Sequence, residues 1–228
     1  MFETEEYMQI KMYHENSNNF KSKAKHYLGN SEFQQTSFEK YVKHNLDIKL
    51  NVENLKKSLF SSRDLSNKAL PFKKFNDVLV NSYYVQNNKS YFSPSAGNLL
   101  PIDMYVLVKN VENVKDGVYF YYKNNDELIY IRDHISTNFM VNVNKFAENA
   151  NCIIVLAARF DEVIKKYRSR SYRFALLECG HIGQNFYINS QKYDLKCCAL
   201  GGFLDQEVID YLSLGSNELP LYVLALGE

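Results

Sequence analysis

Apolar residues recur along this chain at spacings that separate helices from strands. Residues three and four positions apart predict two amphipathic helices, over 51–60 and 72–83. The segment SSRDLSNKAL between them, residues 61–70, is polar and is predicted to be a loop.

Four later segments have the composition of strands. DMYVLVKNV (103–111) is β-branched and aromatic, and GVYFYYKNNDELIYI (117–131) contains two such runs joined by Asn-Asn-Asp, which predicts a hairpin. CIIVLAA (152–158) is too short for a typical helix and predicts a strand buried on both faces. LPLYVLALG (219–227) predicts a final strand, so we expect a central sheet covered by helices.

The segment SYRFALLECGHIGQNFYINSQKY (171–193) carries apolar residues on nearly every side, as in a helix buried in a core or at a subunit interface. Gly180 and Gly183 each weaken a helix by about 1 kcal/mol relative to alanine. The approach of another backbone or of a ligand would explain them. LDQEVIDYLSL (204–214) predicts a short helix that Asp205 caps.

Length and charge limit the classes of function. The chain has 228 residues and a formal net charge of +1, so no overall field attracts nucleic acid or a membrane surface, and we expect neither partner. Residues 1–50 are polar and predict an N-terminal extension, followed by one domain over 51–228. With neither a signal peptide nor a stretch long enough to span a bilayer, we expect a cytoplasmic protein.

The four cysteines lie beside apolar residues and form neither a CxxC pair nor a set with suitably spaced histidines. We therefore interpret them as reduced core residues and expect no metal site. They are Cys152, Cys179, Cys197 and Cys198.

Two loops are candidates for ligand contact. In SPSAGNLLP (93–101), Pro94 fixes its own φ and Gly97 can take angles that other residues avoid, which indicates a shaped loop with something lying against it. Gly201 and Gly202 follow an apolar strand and would let backbone amides approach a flat or anionic group. A dinucleotide fingerprint, a P-loop and a GxSxG elbow are all missing from the sequence.

The segment KKYRSRSYR (165–173) contains five basic residues in nine. It is either a solvated helix start or the source of a catalytic base. A lysine held partly out of water loses some preference for its charged form, and an adjacent tyrosine could share the proton or orient the base.

Several long motifs together resemble one family. The motifs that carry the resemblance are, in this order, SPSAGNLLPIDMYVLV, GVYFYY, ALLECGHIGQNFYINSQKYDLKCCALGGF and PLYVLALG. The chain resembles the SagB-type dehydrogenases, the flavin-dependent branch of the nitroreductase superfamily found in thiazole/oxazole-modified peptide biosynthesis. The resemblance covers about residues 50–228. It implies an α+β fold with a mixed, mostly antiparallel central sheet flanked by helices, and a homodimer with FMN at the subunit interface.

The resemblance also implies which residues bind FMN. The PSAG-type loop is expected along the isoalloxazine and ribityl parts, and backbone groups of the GGF turn near N5. These candidates are Ser93, Pro94, Ser95, Asn98, Leu200, Gly201 and Gly202.

For the phosphate, the family often has an RRSxR-like segment, and LFSSR places Ser61 and Arg63 on its last two defined positions. Leu59 and Phe60 stand where the earlier arginines would be, and no basic residue follows the GGF turn. The partner of Arg63 would be Arg173 or a residue of another subunit.

The Lys-Tyr pair of the azoline-oxidising members aligns with Lys166 and Tyr167, although Lys165 is adjacent. The resemblance implies an FMN-dependent dehydrogenase that oxidises thiazoline or oxazoline rings of a ribosomally made peptide, with a cyclodehydratase complex as a further partner. Two alternatives remain open: a flavin enzyme that reduces a quinone, a nitro compound or a dehydroamino acid with NAD(P)H, and a non-catalytic scaffold subunit.

Overall fold

A six-stranded antiparallel sheet lies at the centre of this computed structural model, which describes residues 5–17, 59–66, 68–83, 85–86, 90–140 and 142–228. A short strand pair comes first, and the six strands of the sheet follow. In chain order the strands are β1 (Val85–Gln86), β2 (Ser90–Tyr91), β3 (Ile102–Val108), β4 (Gly117–Tyr122), β5 (Glu127–Arg132), β6 (Cys152–Arg159), β7 (Lys196–Leu200) and β8 (Glu218–Gly227).

The spatial order of the large sheet is β5-β4-β3-β6-β8-β7, and each neighbouring pair is antiparallel. The expectation of a mixed sheet is therefore wrong for the described strands. Both strands of the predicted hairpin and the predicted strands at 152–158 and 219–227 are confirmed.

Five α-helices and three short 3-10 helices are described around these strands. The α-helices are α1 (Glu5–Ser17), α2 (Phe72–Tyr83), α3 (Asp161–Tyr167), α4 (Ser171–Lys192) and α5 (Asp205–Leu212); the 3-10 helices are Ala96–Asn98, Asn142–Asn149 and Arg168–Arg170. The predicted helices at 72–83 and 171–193 are confirmed. Most of the helix predicted over 51–60 lies outside the described residues, and its last two positions are not helical.

Strand β6 shows why this part of the chain is continuously apolar. Its even-numbered residues, such as Ile154 and Leu156, join the core beneath α2 and α4. Its odd-numbered residues, such as Ile153 and Val155, join a second core that includes α5. Because successive side chains of a strand point to opposite faces, a strand covered on both sides has no position for a polar residue.

The four cysteines are buried and free, as the sequence predicts. Within the described residues, no helix combines the length and apolar character that crossing a membrane requires.

Helix α1 packs against the rest of the described chain through Tyr7, Ile10 and His14, all of them buried. The His14 Nε2 atom lies 3.3 Å from the Asp205 carboxylate, and both side chains are more than 90% buried. The predicted capping role of Asp205 is wrong: Leu204 is the N-cap residue of α5 and makes no side-chain cap, and Asp205 is the first helical residue. Asp205 lies one position too far into the helix to be its N-cap, and its carboxylate lies beside His14.

Gly183 is explained by a close side chain of the sheet. A Cβ atom built on Gly183 would overlap the ring of Tyr222 on β8. The two glycines of α4 thus differ, because a Cβ atom on Gly180 would meet no described atom within 4 Å.

These surroundings predict opposite effects of alanine at the two positions. Gly183→Ala is expected to lower the free energy of unfolding by about 1–3 kcal/mol, since the Tyr222 ring must move. Gly180→Ala is the matched control and is expected to raise it by up to about 1 kcal/mol through helix propensity. Urea unfolding of both variants checks this, and equal effects of the two substitutions would contradict the assigned role of Tyr222.

Candidate active site

The loop before β3 has a backbone shape that depends on Gly97 and Asn98. Both residues have positive φ angles, of 60° and 56°. The hydroxyl of Ser95 accepts a hydrogen bond from the Leu100 N–H at 3.0 Å, which closes the turn. Such angles cost a side chain energy, and glycine avoids that cost at the tightest point. The sequence prediction of a shaped loop at 93–101 is confirmed.

Something does lie against this loop. A Cβ atom built on Gly97 would lie 2.5 Å from the Tyr167 hydroxyl oxygen and 2.6 Å from the Lys166 Nζ atom. The end of α3 therefore contacts the loop where only glycine leaves room. Gly97 and Lys166 are 69 positions apart in the chain, and their two segments meet here. Both segments are candidates for the site on sequence grounds alone.

Lys166 and Tyr167 are held differently. The Tyr167 ring packs edge-on against Phe174, with ring centroids 4.9 Å apart, and is half-buried. The Lys166 Nζ atom lies 5.3 Å from the centroid of the Tyr167 ring, and the lysine is exposed. The catalytic interpretation of this segment requires a lysine held partly out of water. The single chain does not provide this at Lys166, which lies at the surface end of a two-turn helix.

The remaining loop candidates present different groups. Ser93 is 4% exposed, and its hydroxyl has no hydrogen-bond partner among the described residues. Pro94 and Asn98 are exposed, and the hydroxyl of Ser95 closes the turn. A buried hydroxyl without a partner is uncommon in folded proteins, so Ser93 retains unused hydrogen-bonding capacity within this loop.

Sequence reasoning missed Glu178, which lies beneath the same loop. It is 1% exposed, and neither of its carboxylate oxygens has a hydrogen bond of regular geometry to the described residues. Burial raises its pKa to about 7, although Ser95, Lys123 and the Ala96 backbone act to lower it. The available signal was an acidic residue on the apolar stripe of α4, between Ala175 and Ile182.

A buried ion pair lies beside Glu178. The Lys123 Nζ atom is 2.7 Å from the Asp103 carboxylate and donates to the carbonyl oxygens of Leu100 and Ile102 at 3.0 and 2.7 Å. Arg159 lies 3.4 Å from the other oxygen of Asp103. Lys123 thus ties the end of the loop to β3, and burial lowers its pKa.

A second group of candidates lies along β7. The Ser62 N–H donates to the Cys197 carbonyl oxygen at 2.9 Å, so the segment 59–66 runs beside this strand. The Ser61 hydroxyl lies 2.6 Å from the Tyr187 hydroxyl oxygen, which accepts a hydrogen bond from the Ala199 N–H at 2.8 Å. Tyr187 of α4, which sequence reasoning also missed, therefore connects Ser61 to the strand that ends at Leu200.

Arg63 and the GGF turn share one neighbouring segment, the 3-10 helix Asn142–Asn149. The exposed Arg63 guanidinium lies 5.9 Å from the centroid of the Phe146 ring. Asn144 donates to the Gly202 carbonyl oxygen at 2.6 Å, and a Cβ atom on Gly201 would meet no described atom within 4 Å. Ser61, Arg63 and residues 200–202 thus occupy one region, with the backbone of Gly201 open.

We call the first group the loop cluster (93–98 with Lys166, Tyr167 and Glu178) and the second the turn cluster (61–63 with 200–202). Helix α4 contributes to both through Glu178 and Tyr187. Within the described ranges, no hydrogen bond or ion pair joins the two clusters. Arg173 lies in neither and lines a groove between α1 and α4.

Comparison with known proteins identifies two with similar sequences. A protein of Methanocaldococcus jannaschii named as a nitroreductase, MJ1384, is 27% identical over 172 residues, which are 74% of this chain and 86% of that protein. The microcin B17-processing protein McbC of Escherichia coli is 27% identical over 144 residues, 59% of this chain and 53% of that protein. The chain thus spans about half the length of McbC.

A solved structure has a similar fold over the whole chain. A chain of the E. coli microcin synthetase McbBCD complex with truncated pro-MccB17 bound matches with a TM-score of 0.82 and 21% identity, over 100% of this chain and 94% of that chain. The family model of the nitroreductases matches residues 59–228, which include both clusters and the complete six-stranded sheet. The chain therefore belongs to the nitroreductase family, an oxidoreductase family whose members typically use FMN.

Proposed function

We propose that this protein is an FMN-dependent dehydrogenase that oxidises azoline rings of a ribosomally made peptide to azoles. The observation that carries the proposal is the contact of Lys166 and Tyr167 with Gly97, which brings a candidate base to the loop proposed to bind the flavin. The similarity to McbC, a microcin-processing protein, supports a peptide as the substrate.

The groups present in the two clusters fit FMN. The exposed amide of Asn98 suits the polar edge of a ring system, and Ser93 in the same loop has a buried hydroxyl without a partner among the described residues. The open backbone at Gly201 suits the approach of a flat group, because no side chain obstructs it. Arg63, with Ser61 beside it, offers a guanidinium for a phosphate. Pro94, Ser95, Leu200 and Gly202 shape the backbone around these groups.

The chemistry divides between the cofactor and the side chains. Bound FMN would supply the two-electron acceptor for a hydride from the azoline ring, with dioxygen as the final oxidant. Lys166 removes the proton from the Cα atom of the ring, and Tyr167 orients or shares that proton. Because aromatisation drives the reaction, the protein has two main tasks: it places a base against the reacting carbon atom, and it aligns the ring.

The proposal includes partners. The McbBCD structure contains several subunits and a bound pro-peptide, which supports a cyclodehydratase complex as the source of the azoline substrate for this protein too. A homodimer with FMN at its interface is the assembly we propose from the family resemblance. A second copy that covers Lys166 would supply the desolvation that the single chain lacks.

The deciding experiment starts from the visible spectrum of the purified protein and the mass of any released chromophore. We expect a yellow protein that releases FMN and converts an azoline peptide to a product lighter by two hydrogen atoms per ring. Rapid bleaching by NAD(P)H without azoline turnover would favour the reductase alternative. A protein that stays colourless in excess FMN would overturn both and favour a scaffold role.

Arg63→Ala tests the proposed phosphate ligand. We expect FMN to bind about ten- to a hundredfold more weakly, because a charge-assisted hydrogen bond is lost. Arg132→Ala is the matched control, since Arg132 also stacks on a ring, 5.7 Å from the centroid of Tyr211, but lies in neither cluster. Titration of the apoprotein with FMN by fluorescence measures both, and equal effects would contradict the role of Arg63.

A further inference from the structure

Glu178 is the most deeply buried acidic side chain among the described residues, at 1% exposed. A buried carboxylate without hydrogen bonds is costly, and such groups are normally neutral or paired. Both oxygens of Glu178 are without a regular hydrogen bond to the described residues, yet the Ser95 hydroxyl and the Ala96 backbone lie close enough to influence its ionisation. The chain therefore maintains an incompletely satisfied acid directly beneath the turn.

The turn offers two donors on its inner side. The Ser95 oxygen accepts a hydrogen bond from the Leu100 N–H, which leaves the Ser95 O–H available as a donor. The Ala96 backbone acts on Glu178 as a donor does, since it lowers the pKa of the acid. The next residue, Gly97, contacts Lys166 and Tyr167. The acid and the candidate base thus lie against adjacent residues of one turn.

We propose that Glu178 is a positioning residue. Its ionised carboxylate attracts the Ser95 hydroxyl and the Ala96 N–H, to which it makes no regular hydrogen bond in this structure, and so holds Gly97 against Lys166 and Tyr167. It touches neither substrate nor cofactor in this scheme. The inference rests on the proposed function only where it treats Lys166 as the catalytic base. The attachment of the turn to Glu178 is independent of any reaction.

The charges around Glu178 come from several elements. Lys123, between β4 and β5, favours the ionised form, and Asp103 on β3 and Arg159 on β6 act on that lysine. On α4 itself, Cys179 is buried, and its pKa is raised well above the ordinary value, so it stays a neutral thiol. Burial opposes the ionised form and raises the pKa of Glu178 to about 7.

The attachment should therefore change across neutral pH. Above pH 7 Glu178 is mainly ionised and attracts both donors. Below pH 7 it gains a proton, the carboxyl group becomes a weaker acceptor, and the turn loosens. The positions of Lys166 and Tyr167 relative to the loop would then vary with the same midpoint.

Hydrogen exchange tests this without flavin or turnover. We compare exchange of peptides that cover residues 93–101 in wild type and Glu178→Gln between pH 5.5 and 8.5, corrected for the intrinsic exchange rates. Wild type is expected to lose about tenfold protection on going from pH 8.5 to pH 5.5. Glu178→Gln is expected to show the low protection at both pH values. A wild-type profile without a step near pH 7, or one unchanged in Glu178→Gln, overturns the inference.

Two further variants make the result independent of how well Glu178→Gln folds. Ser95→Ala removes a donor from the side of the turn and is expected to reduce the wild-type step. Cys179→Ala perturbs the adjacent buried position of α4 and is expected to leave the step intact. Since no variant needs an active enzyme, failure of the attachment and failure of the proposed oxidation are separate outcomes. If azoline turnover is present, its pH profile should lose the same step in Glu178→Gln.

Discussion

Lys166→Met is expected to lower the rate constant kcat for azoline oxidation by about 10²- to 10⁴-fold, which is the usual contribution of a positioned general base. Methionine keeps the length and apolar stem of the side chain but cannot accept a proton. FMN binding is expected to change little, because Lys166 touches the loop through its Nζ atom at Gly97 and is not among the proposed flavin ligands. The measurement is single-turnover oxidation of an azoline peptide, followed by mass spectrometry.

The adjacent lysine provides a matched control. Lys165 lies on the same helix, is exposed, and forms an ion pair with Glu162 at 2.5 Å, away from the loop. Lys165→Met is therefore expected to retain activity within about twofold, since exposed ion pairs contribute little. Loss of activity in Lys165→Met with retention in Lys166→Met would show that the wrong lysine had been assigned.

Much of the fold could be predicted because the signals are local. β6 is apolar at seven consecutive positions since both faces of the strand are covered, and α2 has apolar residues at helical spacing. The sheet order could not be predicted in this way. It depends on pairings such as β3 with β6, whose partners are about 50 positions apart, and periodicity does not encode partners.

The candidate site shows the same division. The backbone demand at Gly97 and the Lys-Tyr pair were visible in the sequence, but their contact depends on how α3 returns to the loop. Glu178 and Tyr187 were missed because they lie within α4, which its many apolar residues led us to interpret only as a buried or interface helix. Asp205 resembled a helix cap in sequence, and only the position of α1 shows that its carboxylate pairs with His14.

Lys123→Met is expected to have the largest effect on stability, lowering the free energy of unfolding by about 3–5 kcal/mol. Among the described residues, the substitution leaves the 4% exposed carboxylate of Asp103 with Arg159 as its remaining ion-pair partner, at 3.4 Å, and the Arg159 side chain is 49% exposed. It also leaves the carbonyl oxygens of Leu100 and Ile102 without their lysine donor. Thermal unfolding should show a Tm lower by roughly 6–20 °C, using the usual shift for a domain of this size.

The cause can be separated from simple loss of packing by a double-mutant cycle. If the unpaired Asp103 is responsible, Asp103→Asn in the Lys123→Met background should restore part of the stability, and the two substitutions should be less than additive. The control is Lys73→Met, which breaks a pair with Asp77 at 2.6 Å in which the lysine is 86% exposed, and should change stability by less than about 1 kcal/mol. Additive effects at positions 103 and 123 would mean that burial of the lysine stem, and not its charge, stabilises the end of the loop.

Because Lys123 binds the carbonyl oxygens at 100 and 102, a folded Lys123→Met protein should also exchange the amide hydrogens of 93–101 faster. Faster exchange would connect the stability of this ion pair to the shape of the proposed flavin loop.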